Sequence, residues 1–221
     1  MKNNKEVVIV RKWLKRAEEP FKRLKPEKRE KVLRAGIREF AVKGFDSAST
    51  NRIALDAGIS KGSLFKYFRT KEQMFECIID YIMEFFIVGM NEARGRMPSD
   101  IFERTRAYVA TAISFCVKEP EAYRLLVKTF TNLSVGQYAM TMARWMPGYL
   151  KLLFDIYSGA DFSGLRYGRL KTIGILTDVL ASLELYALVE AGEDASMEKF
   201  GRVYLKKLDS MLGALKYGLK K

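Results

Sequence analysis

Lys61, Ser63, Lys66 and Tyr67 fall within one seven-residue stretch, flanked by Thr50 and Lys71. Ammonium and hydroxyl groups gathered this way donate hydrogen bonds to phosphate oxygens and to the acceptor edges of bases, the chemistry of polyanion recognition. Gly62, between them, lets a backbone approach closely. Other chemistries are excluded by composition. The 221 residues contain no histidine, so Ser-His-Asp or Cys-His catalysis, imidazole proton transfer and histidine-ligated metals are ruled out. Cys77 and Cys116 stand 39 positions apart, form neither a CxxC pair nor a four-thiolate site, and are expected as reduced core thiols. With no paired-carboxylate motif and no phosphate loop either, an enzyme, a metal and a cofactor are not expected.

The charge is localised. Lys and Arg outnumber Asp and Glu 39 to 26 overall, a net +13. Residues 1–75 hold 20 of the basic and 9 of the acidic side chains, a net +11, while residues 76–221 hold 19 and 17, a net +2. Such an excess is the footprint of a polyanion-binding module, nucleic acid ahead of an anionic membrane surface. Residues 1–25 alone carry nine basic side chains, with Trp13, Leu14 and Phe21 interleaved. They read either as an arm along DNA or as a solvated tail. The longest uncharged run, Thr129 to Ala143, has 15 residues where a spanning helix needs about 20; no membrane span is expected. Val7–Val10 is too short for a signal-peptide core, so export is not expected and the cytoplasm is.

Apolar residues recur at three- and four-residue spacing throughout, which predicts an all-α fold. Pro26 opens a helix to Lys43, where Gly44 stops it. Ser49 or Thr50 caps a second helix to Ala57, and beyond Gly58, Ser60 caps a third to Phe68. Thr70-Lys71-Glu72-Gln73 is a capping box for a fourth helix to about Met90. Further helices are expected at Ser99–Lys118, Pro120–Asn132, Ser134–Tyr157 with a kink at Pro147, Leu165–Glu190 and Asp194–Tyr217.

Thr50 to Phe75, TNRIALDAGISKGSLFKYFRTKEQMF, thus reads as a helix-turn-helix, whose second helix enters the major groove. Fifteen positions, Thr50, Ile53, Ala54, Ala57, Gly58, Ile59, Ser60, Gly62, Leu64, Phe65, Tyr67, Phe68, Lys71, Glu72 and Met74, together with Ala41-x-x-Gly44-Phe45, resemble the DNA-binding segment of the TetR family of bacterial transcriptional regulators. The resemblance is strong over Pro26–Phe75 and limited beyond it to helix number and length. It implies a basic extension (1–25), a helix-turn-helix domain (26–75) and a helical effector-binding and dimerisation domain (76–221). It implies that Thr50, Tyr67 and Lys71 contact phosphates of an operator duplex and that Lys61, Gly62, Ser63 and Lys66 face the groove. Where many members have a tyrosine whose hydroxyl meets a phosphate, this chain has Phe65, which is left to pack.

The resemblance further implies a homodimer built on the last two helices. Leu176, Leu180, Leu183 and Ala187 on one, and Phe200, Tyr204, Leu208, Met211, Leu212 and Leu215 on the other, form the stripes that fit it. It also implies an effector pocket. Phe115, Tyr123, Phe130, Tyr138, Met142, Trp145, Met146, Tyr149 and Phe154 supply aromatic and methionine lining, and Asn132, Gln137, Asp178 and Glu184 polar contacts. A hydrophobic effector would release a repressor from a palindrome, with Gly89 and Gly95–Pro98 as the pivot. Activation, a helical enzyme and a membrane-surface protein are the alternatives.

Overall fold

The computed structural model describes residues 13–131, 135–192 and 195–219, and of 130–131, 135–143 and 219 the helical backbone alone. The described residues are helical, without a strand; one isolated bridge joins Asp100 and Asp161. A 3₁₀ turn, Leu14–Arg16, and one helical turn, Glu19–Lys22, precede α1 (Pro26–Ser47), α2 (Thr50–Asp56), α3 (Lys61–Tyr67), α4 (Lys71–Arg94), α5 (Ile101–Lys118), α6 (Pro120–Thr131), α7 (Val135–Tyr157), α8 (Arg169–Ala191) and α9 (Met197–Leu219). Two compact units result. One is the chain to Val88 with Glu119–Arg144, and the other is Gly89–Lys118 with Trp145–Lys221.

In the first unit, α1 leaves helical geometry at Gly44, whose φ of +72° only glycine adopts cheaply. Its apolar face, Leu33, Ile37, Phe40 and Ala41, is buried, and α6 packs along it. Arg34 grips Glu119 with two hydrogen bonds, of 2.5 and 3.0 Å, at the start of α6; this fork-to-carboxylate pairing holds the Arg34 pKa above its ordinary value. Burial pushes the Cys77 thiol up to about 12, so it stays protonated at neutral pH.

Residues 13–24 belong to this core, neither an arm nor a solvated tail. Trp13, Leu14, Ala17 and Phe21 follow one another at helical spacing and all are buried. The Phe21 ring lies 4.8 Å from Phe68 and 5.6 Å from Tyr67, and Trp13 packs edge-on to Tyr81. Two basic groups of this stretch are paired. Arg16 pairs with Glu76 and Asp80, Arg144 reaches the same two carboxylates, and Lys22 pairs with Glu19. Residues 1–12, the rest of the basic extension, lie outside the described residues.

In the second unit, α9 packs against α5 and α8. Leu176, Leu180, Leu183 and Ala187 of α8 meet Phe200, Tyr204, Leu208 and Leu212 of α9, all buried, and the Tyr204 hydroxyl donates to the Leu180 carbonyl at 2.9 Å. The stripes expected at a dimer interface are therefore spent inside the chain, with Met211 half-buried at their margin. A helix packed on one side shows its apolar period there first, and these residues obey that rule. α8 begins at Arg169, not Leu165, because Leu165 is buried in the preceding loop. It is also long and apolar enough to cross a membrane by length and composition, which a count of uncharged runs passed over because Asp178 and Glu184 interrupt it.

Arg104 of α5 holds the second unit's linker. Its buried guanidinium donates to the carbonyls of Ile156 (2.6 Å), Met97 (3.0 Å), Pro98 (2.6 Å) and Arg94 (3.4 Å). Two of these acceptors, Arg94 and Ile156, come from the C-terminal ends of α4 and α7, where the helix dipole favours a cation. Burial lowers the Arg104 pKa, with Arg94 adding to the effect. Beside it, Tyr157 and Thr105 share a buried hydroxyl–hydroxyl contact of 2.9 Å.

Candidate nucleic-acid interface

The helix-turn-helix is assembled by two serine caps and one glycine turn. Ser49 accepts from the Arg52 amide at 3.3 Å and starts α2; Ser60 accepts from the Ser63 amide at 3.1 Å and starts α3. Between them Gly58 turns the chain at φ +68°, and the Ile59 amide donates back to Ala54 at 3.0 Å. Ile53, Ala54, Ala57 and Leu64 bury the crossing of α2 and α3. Thr50, the first residue of α2, is half-buried.

With Leu64 inside, α3 turns the opposite face outward. Lys61, Gly62, Phe65 and Lys66 are exposed, and Ser63 is half-buried with its hydroxyl 2.9 Å from that of Ser60. Lys61 sits with its ammonium 6.0 Å from the Phe65 ring centroid, one helical turn away on the same face. Phe65 does not pack into the core; it is 39% exposed, because the Leu64–Phe68 side of α3 already fills the interior.

Two of the residues expected at phosphates also have partners within the fold. The Lys71 ammonium donates to the carbonyls of Asp46 (3.0 Å) and Ala48 (3.4 Å) and lies 4.8 Å from the Phe45 ring centroid. It closes the end of α1, keeping one of its three N–H groups for another acceptor. Tyr67 is half-buried against Phe21, and its carbonyl accepts from the Glu18 amide at 2.9 Å. The strap of residues 13–24 thus buttresses the C-terminal end of α3. Gln73 completes the joint, accepting from the Arg69 amide at 2.7 Å and donating to the Arg16 carbonyl at 2.5 Å. These supporting residues escaped the sequence reading, although the 13–17–21 spacing was the signal for them.

The pocket candidates divide between the two units. Tyr123 is buried in the first unit; Phe115, Trp145 and Tyr149 are half-buried in the second, and Asp178 and Glu184 are exposed on α8. Phe154 and Met146 are also exposed. The side chains of Phe130, Asn132, Gln137, Tyr138 and Met142 lie outside the described residues. One polar feature at Tyr149 has no signal in the sequence. The Tyr149 hydroxyl stands 3.5 Å from that of buried Tyr108, whose pKa burial raises well above its ordinary value.

Residues 32–78, from α1 through the helix-turn-helix into α4, match the family model of bacterial regulatory proteins of the tetR family. The segment belongs to the TetR family. The nucleoid occlusion factor SlmA of Actinobacillus pleuropneumoniae is 29% identical over 126 residues, 57% of this chain and 60% of SlmA. The transcriptional activator FasR of Mycolicibacterium smegmatis is 28% identical over 149 residues, 67% of this chain and 66% of FasR. The chain therefore spans about half to three fifths of the SlmA proteins it matches. Among solved structures, a TetR family regulator from Chloroflexus aurantiacus aligns with 93% of this chain and 99% of its own, at TM-score 0.58 and 20% identity. One from Mesorhizobium loti aligns with 85% and 96%, at TM-score 0.63 and 18% identity. At these identities the likeness is one of fold, and it extends the TetR-like architecture through the second unit.

Within the TetR-family segment, Gly62 allows the interface to be separated from the fold. A Cβ there would meet only the Ser60 hydroxyl oxygen, at 3.9 Å. Gly62→Ala is expected to leave stability unchanged or raise it by up to about 1 kcal/mol, while the added methyl lowers affinity for duplex DNA. Denaturant unfolding and a DNA titration on the same preparation check this, and equal affinity for both proteins would remove Gly62 from the interface.

Proposed function

We propose that this chain is a DNA-binding transcriptional regulator that reads a palindromic operator as a two-fold dimer and is released by a small hydrophobic effector. The observation that carries the reading is the outward face of α3, where Lys61, Gly62, Ser63 and Lys66 stand exposed or half-exposed on a capped helix-turn-helix. Thr50, Tyr67 and the remaining N–H of Lys71 flank it for phosphates. Residues 26–75 form the reading module and residues 76–221 the part that dimerises and binds effector.

Support for the dimer comes from the face of α8 that its own unit leaves open. Leu170 (71% exposed), Gly174, Ala181, Leu185 (66%) and Val189 (76%) lie in that order along one helical row. A row of large apolar and small residues suits a close helix–helix contact between two copies, and it replaces the buried stripe as the interface. Asp178 lies on the same row and belongs with this contact, not with the effector. For the effector, Phe115, Trp145 and Tyr149 of the second unit offer apolar lining, and the Tyr108 hydroxyl, beside that of Tyr149, a polar point. It would act through different affinities for two dimer spacings. Occupying DNA is enough to block transcription, so repression needs no further surface; activation is the alternative, and a reporter fused to the operator distinguishes them. The reading places the protein in the cytoplasm, beside DNA.

The experiment is a selection from random duplex DNA at two salt concentrations, with the mass of the complex measured by light scattering. A palindrome bound by twice 25.4 kDa is the expected result. On that sequence Lys61→Ala or Lys66→Ala should cost about 1–3 kcal/mol each. Uniform, sequence-blind binding lost in salt, equal on DNA and anionic vesicles, would overturn the proposal.

A further inference from the structure

We infer that Phe65 is a specificity-determining residue that reads a thymine methyl group in the major groove, beside a guanine read by Lys61. The inference rests on the DNA-reading function proposed above and assigns it a base pattern.

Phe65 is the large apolar side chain that α3 turns outward, 39% exposed and four residues from Lys61 on one face. Its ring has no hydroxyl, so it cannot bond a phosphate as a tyrosine there would. Inside the major groove base edges offer donors, acceptors and a single apolar group, the C5-methyl of thymine. An exposed ring inserted among hydrated acceptors alone would lose water contacts without return, whereas against a methyl it removes apolar surface from water on both partners. Lys61 sets the neighbouring base. Its ammonium lies 6.0 Å from the ring centroid, near the limit of attraction to a ring face, and reaches along the groove to acceptors such as guanine O6 and N7. That separation is close to two base steps of about 3.4 Å. Each half-site should therefore contain a thymine and a guanine within two steps of each other.

Deoxyuridine differs from thymidine by this methyl alone, which makes it the probe. Duplexes carrying the selected sequence are synthesised with each thymidine replaced in turn by deoxyuridine, and affinities are measured for the wild-type chain, Phe65→Ala and Phe65→Leu. One replacement in a single half-site is expected to weaken wild-type binding about fourfold, and about fifteenfold when made in both half-sites. In Phe65→Ala that sensitivity should vanish while the salt dependence stays as it was; in Phe65→Leu it should persist in part. Circular dichroism and the unfolding midpoint verify that the exposed substitution leaves the fold intact. Wild-type binding insensitive to every deoxyuridine, or a sensitivity that survives Phe65→Ala, overturns the assignment while leaving sequence-specific binding standing. A selection that recovers no sequence overturns the regulator reading itself.

Discussion

Phe21→Ala is expected to lower the stability of the first unit by about 3–5 kcal/mol, the range for emptying a fully buried phenylalanine site. Its ring is 0% exposed and packs on Phe68, Tyr67 and Trp13 at 4.8, 5.6 and 6.3 Å. The vacated space lies between the strap and the end of α3, so little can collapse to fill it. Chemical denaturation gives the free-energy difference. Because Tyr67 loses its support in the same substitution, DNA affinity should fall even at temperatures where the variant is folded. A change below about 1 kcal/mol would mean that residues 13–24 are not integral to the core in solution.

Arg104→Ala is expected to cost a similar amount, about 3–5 kcal/mol, for a different reason. Four carbonyls, from Arg94, Met97, Pro98 and Ile156, converge on one buried guanidinium. Removing it deprives four carbonyls of their donor, that of Ile156 in a buried position and the other three part-buried. Arg104→Lys should recover little, since a single ammonium cannot span acceptors set around a planar fork. Denaturant unfolding of the three proteins tests this, and full rescue by lysine would show that charge alone, without geometry, holds the linker.

What the amino-acid sequence revealed depended on whether one signal dominated locally. Ser49, Ser60, Gly44 and Gly58 are cap and turn residues whose conformations are intrinsic, so α1 to α3 were legible almost to the residue. The strap was not, because its apolar period at Trp13, Ala17 and Phe21 is interleaved with Lys15, Arg16, Lys22 and Arg23, and charge density masked periodicity. α8 misled differently. It is apolar around much of its circumference, so its pattern could not say which side meets α9 and which is left open; Leu183 and Leu185 look alike in sequence and face opposite ways. Lys71 shows the limit for the site. A motif fixes its position, but the carbonyls of Asp46 and Ala48 are contributed by tertiary structure.

The ion pairs of the first unit also bear on how a polyanion would feel its surface. Of the basic residues that give the first 75 positions their net +11, Arg16, Lys22, Arg34, Arg52 and Arg69 face carboxylates, and Lys71 faces carbonyls. Partnered cations displace few counterions from a nucleic acid, whose release is what makes affinity depend on ionic strength. These six residues therefore contribute less to the salt response than their formal charge. The steepness of that response is set by exposed groups such as Lys61 and Lys66, while these six of the twenty basic residues work inward, fastening helices.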